Sequence, residues 1–335
     1  MYRKILIFLI IAVALSSCAK QQAGEKISET RLLLDTYCTI TIYSTLDEEA
    51  INDILDRAFE MCLEYEELFS ITIEGSDVWR INHAGGEPIE ISSHTVEVIK
   101  AGIEFGELSG GLFDITIGRL SRLWDFSNID RNRNVPEAHE IDAAKSTIDY
   151  RQVNINGNFV HIDNPDAWID LGAIAKGYIA DRIAEFLIYS GINDAVIELG
   201  GDVVTIGKRP DGGPWQIGIR DWTAHLLGVI DAAGTSVVSS GTYERMFEKD
   251  GVNYHHILDP RTGMPVDSDI ISATVITENA LIGEGLSTIA ILMGSEKIQA
   301  FFEQVDGYIG AVVVLDGGVV LTLGDLNYTD MRSDG

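Results

Sequence analysis

The chain has 335 residues, is 46% hydrophobic, and carries 24 basic against 52 acidic side chains, a formal net charge of −28. The apolar share supports a real core, and the length suits one large domain or two intimately joined ones. The acids are spread rather than blocked, which excludes a nucleic-acid partner, since such proteins need a basic footprint; any anionic ligand must be held locally, by a metal, an Arg or Lys, or helix N-termini.

At the start, Tyr2-Arg3-Lys4 is a short basic segment and Ile5 to Leu15 an apolar one. At about 11 residues the apolar run is too short to span a hydrocarbon core of roughly 30 Å. Leu15-Ser16-Ser17-Cys18 looks like a bacterial lipobox, in which the preceding peptide is removed and the cysteine carries lipid. We therefore read residues 1–17 as a signal peptide and 18–30 as a lipidated tether, polar and without periodicity. Residues 31–327 form the folded domain, held by its lipid anchor on the extracytoplasmic side of a membrane. Beyond Cys18 only Cys38 and Cys62 remain. An extracytoplasmic pair could bridge, but one lies on an alternating strand and the other on an apolar helix face, which favours two buried free thiols.

Leu32 to Tyr43 alternates with β-branched residues and reads as a strand. Asp47 to Phe69 has the spacing of an amphipathic helix capped by Asp47. Ser93 to Leu108 is a second helix, ended by Gly110-Gly111. Ser127 to Val135 reads as an exposed excursion, and Pro136 to Lys145 as a short helix with proline in its first turn. Val153 to Ile162 is a hairpin about Asn156-Gly157. A helix from Gly172 to Tyr189 follows, with Gly191 past its end. From Ala195 to Val275 the pattern is strand after strand, with a hairpin near Asp250-Gly251. Helices at Ala280–Met293 and Glu296–Val305 precede a closing hairpin turned at Asp316-Gly317-Gly318. The expected fold class is α+β, with mixed, largely antiparallel sheets flanked by helices.

Four stretches carry chemistry. Tyr254 to Gly263 packs His255, His256, Asp259 and Arg261 between turn pairs, and histidine titrates near neutral pH. Alone it would also suit a polar turn with one core-facing histidine. Ile169 to Tyr178 runs from a strand end into a helix through a Gly/Ala-rich entry, where backbone N–H groups and the helix dipole favour anions. Lys176 adds a full charge there, and Asp170 could contact a ligand or cap the helix. On Ala280–Met293 the one charged residue is Glu284, costly if buried unpaired. Thr288, four residues on, shares its face. A carboxylate with a hydroxyl is an all-oxygen set that suits Mg²⁺ rather than zinc. Gly110 to Gly118 and Ile197 to Asp202 are glycine-bracketed segments that bring backbone close to a flat or phosphorylated ligand.

These motifs, in order, resemble those of the ApbE-type flavin transferases, FAD:protein FMN transferases, over nearly all of the chain after Cys18. The carrying segments are Gly111–Gly118 (GLFDITIG), Ile169–Tyr178 (IDLGAIAKGY), Glu198–Gly201 (ELGG), Ser239–Tyr243 (SSGTY) and His255–Gly263 (HHILDPRTG). The resemblance implies Mg²⁺-dependent transfer of FMN from FAD to a threonine hydroxyl of a partner protein, a membrane redox complex subunit, with release of AMP. By matching positions, Ala173, Glu284 and Thr288 would hold the metal. Leu34, Thr72, Leu112, Phe113, Asp114, Asp170, Lys176, Ile257 and Leu258 would contact FAD. His256 would be the base and Asp259 its orienting acid or a turn cap. Three positions depart from the pattern. The metal helix reads Gly283-Glu284-Gly285-Leu286-Ser287-Thr288 where the family has Ala-Asp-x-Leu-x-Thr. Leu34-Asp35-Thr36 replaces Met-Gly-Thr, and Thr72 stands where many members stack an aromatic on the flavin. Hydrolysis of FAD to FMN and AMP, and FAD binding without turnover, are the two other activities this set allows.

Overall fold

The computed structural model describes residues 24–127, 134–221, 223 and 225–332. The expected signal peptide, Cys18, the tether as far as residue 23 and the middle of the 127–135 excursion lie outside the described residues. No helix among the described residues is long and apolar enough to cross a membrane.

The predicted first strand is two. β1 (Glu25–Leu33) and β2 (Thr36–Ser44) form a hairpin whose two-residue turn holds Leu34 and Asp35 at φ +54° and +56°. The alternating pattern runs through this turn without a glycine to mark it, which is why it read as one strand. β1 also takes in residues 25–30, assigned above to the tether. α1 (Glu48–Phe69) begins at its expected cap, with Asp47 accepting from Ala50 N at 2.8 Å. α2 (Asp77–Asn82), β3 (Ile89–Glu90), α3 (Ser93–Leu108), α4 (Gly118–Trp124) and α5 (Ala138–Lys145) follow. Pro136 lies before the α5 cap rather than in its first turn. Glu137 is the cap, and its N–H donates to the Glu140 carboxylate at 3.0 Å.

β4 (Val153–Asn156) and β5 (Phe159–Ile162) pair with β3 in a small sheet. α6 (Ala175–Tyr189) starts three residues later than its pattern suggested. Gly172 N instead donates to Asp170 Oδ1 at 2.9 Å, a side-chain turn that delays the helix. Strands β6 (Asp194–Leu199), β7 (Asp202–Ile206), β8 (Trp215–Arg220), β9 (Leu226–Ala232) and β10 (Ser236–Gly241) lead to the detached hairpin β11 (Met246–Lys249) and β12 (Val252–His255). β13 (Ile270–Thr277), α7 (Ala280–Met293), α8 (Ser295–Phe302), β14 (Tyr308–Leu315), β15 (Val320–Gly324) and β16 (Tyr328–Asp330) close the chain.

The centre is an eight-stranded antiparallel sheet in the order β1-β2-β6-β7-β10-β13-β14-β15. The main core fills its helical side, joining Ile40, Leu55, Ile99, Ile183, Val275, Ile289 and Val313. On the opposite face a second cluster includes Ile230, Val237, Ile276, Val312 and Val314, closed by the β16-β9-β8 sheet. Val237 and Val238, or Val312 and Val313, thus point to opposite layers, as strand alternation requires. With both faces covered, β13 is buried along nearly its whole length rather than at alternate residues. Cys38 and Cys62 are both buried and free.

Candidate active site

One glycine lets α6 approach α7, and a second seats α7 on the sheet. A Cβ on Gly177 would stand 2.5 Å from the Ala280 carbonyl oxygen, and one on Gly283 would stand 2.8 Å from Thr277 and Val238. Only bare backbone permits this approach. Asp181 of α6 locks it by accepting from Ala280 N and Leu281 N at 2.8 and 3.0 Å, at the start of α7. One turn further along, Glu284 therefore meets the first turn of α6. It is 3% exposed; one oxygen accepts from Gly177 N at 2.7 Å and the other from Lys176 Nζ. The isolated carboxylate on the apolar helix has met a cation, one of the outcomes its burial demanded.

Gly177 N is the donor that a continuing helix would send to Ala173. Because it goes to Glu284, the Ala173 carbonyl has no backbone donor among the described residues. Thr288 completes this wall, with Ser240 Oγ 3.5 Å from its hydroxyl and 2.8 Å from that of Ser287. Among the described residues no three His, Cys, Asp or Glu side chains form a metal cluster. The donors gathered here are a carboxylate, a hydroxyl and a free carbonyl. Such a sparse oxygen set leaves room for water and phosphate ligands and fits Mg²⁺.

Asp202, at the head of β7, was read only as the end of a glycine-bracketed turn. It is 1% exposed, and its Oδ2 accepts from Lys176 Nζ at 2.9 Å. Lys176 thus bridges two buried carboxylates. Burial opposes its charge, but Asp202 and Glu284 hold the ammonium above its usual range. Burial also lifts Asp202 to about 7, against the pull of Lys176.

A cavity of about 430 Å³ opens over this wall. Leu34, Thr72, Leu112, Phe113, Asp114, Asp170, Ala173, Lys176, His256, Ile257, Leu258, Glu284 and Thr288 all line it. Some of these side chains are occupied by the fold. Asp114 accepts from Thr116 N and Oγ1 and from Tyr150 N, and burial raises its pKa despite those bonds. Asp170 accepts from Ser121 Oγ at 2.6 Å as well as from Gly172 N. Thr72 is exposed at the mouth, its hydroxyl 3.0 Å from that of Ser70.

The two histidines separate. His255 Nε2 lies 3.2 Å from the Val266 carbonyl, a structural contact. Nδ1 is buried without a partner in both rings among the described residues, but only His256 lines the cavity. Burial first, then Arg245 and His255, push His256 down to about 4, so the ring is neutral at physiological pH. Asp259 is absent from the cavity wall, and the role of orienting His256 is not what its bonds serve. Its carboxylate accepts from the Arg261 backbone at 2.8 Å and from the Arg261 guanidinium at 2.8–3.2 Å. An acid two residues before an arginine in a tight turn satisfies both locally, which leaves the turn-cap alternative.

Sequence reading missed Arg122, Arg245 and Glu244 as cavity residues. Neither arginine forms an ion pair among the described residues, unlike Lys176 in the same cavity. The available signal was a basic residue just after the Gly111–Gly118 and Ser239–Tyr243 motifs.

Fold and cavity together define an α+β enzyme whose cleft gathers cations, a helix N-terminus and an oxygen donor set for an anionic ligand. The chain belongs to the ApbE family, whose model matches residues 34–313. It is 34% identical over 301 residues to a FAD:protein FMN transferase of Klebsiella pneumoniae, covering 88% of this chain and 91% of the relative. A FAD:protein FMN transferase of Vibrio cholerae is 33% identical over 261 residues, 77% of each chain. Among solved structures, the ApbE protein of Thermotoga maritima superposes with a TM-score of 0.82 at 34% identity, covering 89% of this chain and 97% of that one. The flavin transferase ApbE of Vibrio cholerae gives 0.80 at 28% identity, with 90% and 97% covered.

Proposed function

We propose that this protein is a FAD:protein FMN transferase. It moves FMN from FAD to a threonine hydroxyl of a partner protein as a phosphodiester and releases AMP. The observation that carries the reading is the convergence of Glu284, the free Ala173 carbonyl, Thr288 and Lys176 at the start of α6, beneath two unpaired arginines. The Ala173 carbonyl, Glu284 and Thr288 would hold Mg²⁺, which supplies charge neutralisation and orientation of the diphosphate. Lys176, Arg122 and Arg245 bind phosphate oxygens in a chain whose overall field repels them. The N-terminal dipole of α6 acts in the same direction. Phe69, Phe113, Ile257 and Leu258 supply apolar wall for the flexible dinucleotide. The acceptor hydroxyl attacks the phosphorus on the riboflavin side, and the bond to the bridging oxygen breaks, leaving AMP. His256, neutral and with a free ring nitrogen, takes the hydroxyl proton.

Thr72 favours a second reading. Where an aromatic would cover the flavin, this chain puts a small, exposed residue at the cavity mouth. Water then competes with the acceptor for phosphorus, giving FMN and AMP. We also propose that Cys18 is lipidated and holds the enzyme on the extracytoplasmic face of a bacterial membrane, beside a membrane redox complex that supplies the acceptor.

The test incubates residues 19–335 with FAD and MgCl₂, with and without a threonine-containing acceptor domain. AMP and FMN are followed by HPLC, and the acceptor by intact mass. Acceptor heavier by one FMN residue, with AMP released, is expected. Free FMN and AMP without labelling would replace transfer by hydrolysis; unchanged FAD would leave only a binder.

A further inference from the structure

The position beside the Glu284 carboxylate is taken by a side-chain cation. Lys176 Nζ donates to Glu284 Oε1 and to Asp202 Oδ2 at once. This double contact depends on the residue that departs from the family pattern. The extra methylene of Glu284 lets one oxygen reach Gly177 N while the other reaches the ammonium. A divalent cation on Glu284 and an ammonium on the same oxygen cannot coexist, because like charges at contact distance repel strongly where water is excluded.

The lysine has somewhere to go. Asp202 is almost fully buried, and among the described residues Lys176 is the only donor to its side chain. Lys176 keeps 29% of its side chain exposed, on a long stem with room to pivot toward the cavity. Glu244, an acid on the hairpin side of the cavity, feels Lys176 through space, and no hydrogen bond joins them among the described residues.

We infer that Asp202 is a positioning residue that draws the Lys176 ammonium off Glu284 when the metal enters, so that Lys176 serves as a cationic placeholder in the empty site and a phosphate ligand in the loaded one. This rests on the metal reading given above. Asp202 touches neither metal nor substrate in this account; it acts through Lys176. The exchange moves no proton and forms no covalent bond. It explains why a buried acid sits at the head of β7, where a hydrophobic residue would cost less.

The experiment is a calorimetric titration of MgCl₂ into the full folded domain, residues 19–335, for wild type, Asp202→Asn, Lys176→Met and the double variant, with melting temperatures recorded for each. Magnesium must bind the wild type; if it does not, the metal reading fails, and the variants are not needed to show it. Given binding, Asp202→Asn weakens Mg²⁺ by roughly 10-fold, the usual scale for a residue supporting a metal ligand. Lys176→Met, which removes the competitor, tightens it. In the Lys176→Met background, Asp202→Asn changes the affinity by less than about 3-fold, since the partner through which it acts is gone. Asp202→Glu keeps the charge and restores most of the affinity lost in Asp202→Asn. An Asp202→Asn effect of equal size in both backgrounds would mean plain through-space attraction and overturn the inference. A lowered melting temperature with unchanged Mg²⁺ affinity would overturn it equally, by reducing Asp202 to a structural role.

Discussion

On the α6–α7 side of the cavity, Lys176, Asp202 and Glu284 stand on elements of the main core, and two glycines and the Asp181 clamp fix their spacing. Across the cavity, Glu244, Arg245 and His256 flank the β11–β12 hairpin, which pairs with none of the larger sheets. That hairpin leans on a separate cluster in which Trp124 and Phe126 pack 5.5 Å apart and Phe247 and Tyr254 5.2 Å apart. The first side is ionic and buried; the second is carried by aromatic packing and partly exposed. The difference suits two tasks. A diphosphate and its metal need donors that do not move, because preorganised charge is worth most when nothing reorganises during reaction. A protein acceptor needs an accessible edge, and under the proposed function the partly exposed hairpin side is where it would dock.

If this division holds, damage to the ionic side removes chemistry and leaves the fold intact. Glu284→Gln keeps the hydrogen bond from Gly177 and loses the charge, so AMP release should fall on the order of 10²–10³-fold, the scale of a lost metal-charge contribution. Near-wild-type turnover would break the comparison at its strongest point. His256→Asn comes next, with about a 100-fold loss of acceptor labelling, the low end for a general base. Its pH signature is separate. Because His256 is held down to about 4, it is unprotonated through the neutral range. The rate should therefore stay flat from neutrality down to about one unit above that value and fall only below it. A fall centred near 6.5 would assign the base to an unburied histidine. Trp124→Ala probes the other side. Trp124 is 5% exposed and donates from Nε1 to the Gly263 carbonyl at 2.9 Å. The change should cost about 3–5 kcal/mol, read as a lower urea midpoint, with faster amide exchange at 246–256 than around α7. Equal acceleration in both places would mean the two sides are one cooperative unit.

How far these sides were legible in sequence follows the same line. α7 was read at its observed ends because an apolar run with one acid has few other solutions, and Glu284 was singled out there. Asn156-Gly157 and Asp316-Gly317 marked their hairpins because those pairs accept positive φ, and both glycines adopt it. β13 lacked an alternating signature because both its faces are covered, and α4, seven residues that start at the last glycine of the Gly111–Gly118 motif, is too short for helical periodicity. Lys176 was named but its partner was not. Asp202 lies 26 positions away, and the contact exists only because β7 enters the sheet beside α6. An acid directly before the buried run Val203–Ile206 was the one local clue. Asp259 was left open between orienting His256 and capping the turn, and its bonds to Arg261 favour the cap.

Asp259→Asn measures that preference and carries the smallest expected effect. The Arg261 backbone N–H bonds Asp259 Oδ1, and an amide oxygen can accept it equally. The Asp259 carbonyl accepts from Thr262 and Gly263, whose own carbonyl holds Trp124, so the turn survives by backbone alone. What is lost is the charge paired with a guanidinium whose side chain is 63% exposed, and pairs of that kind contribute about 0–1 kcal/mol. Burial opposes ionisation of Asp259, but Arg261 holds its pKa below the ordinary range. The contribution is therefore present at neutral pH and disappears as pH drops through that lowered value. Acceptor labelling within about 3-fold of wild type, with a urea midpoint barely changed, is the expected result. A loss of 10²-fold or more, the scale seen when a histidine loses its orienting acid, would restore Asp259 to the catalytic side and require the hairpin to close until His256 reaches it.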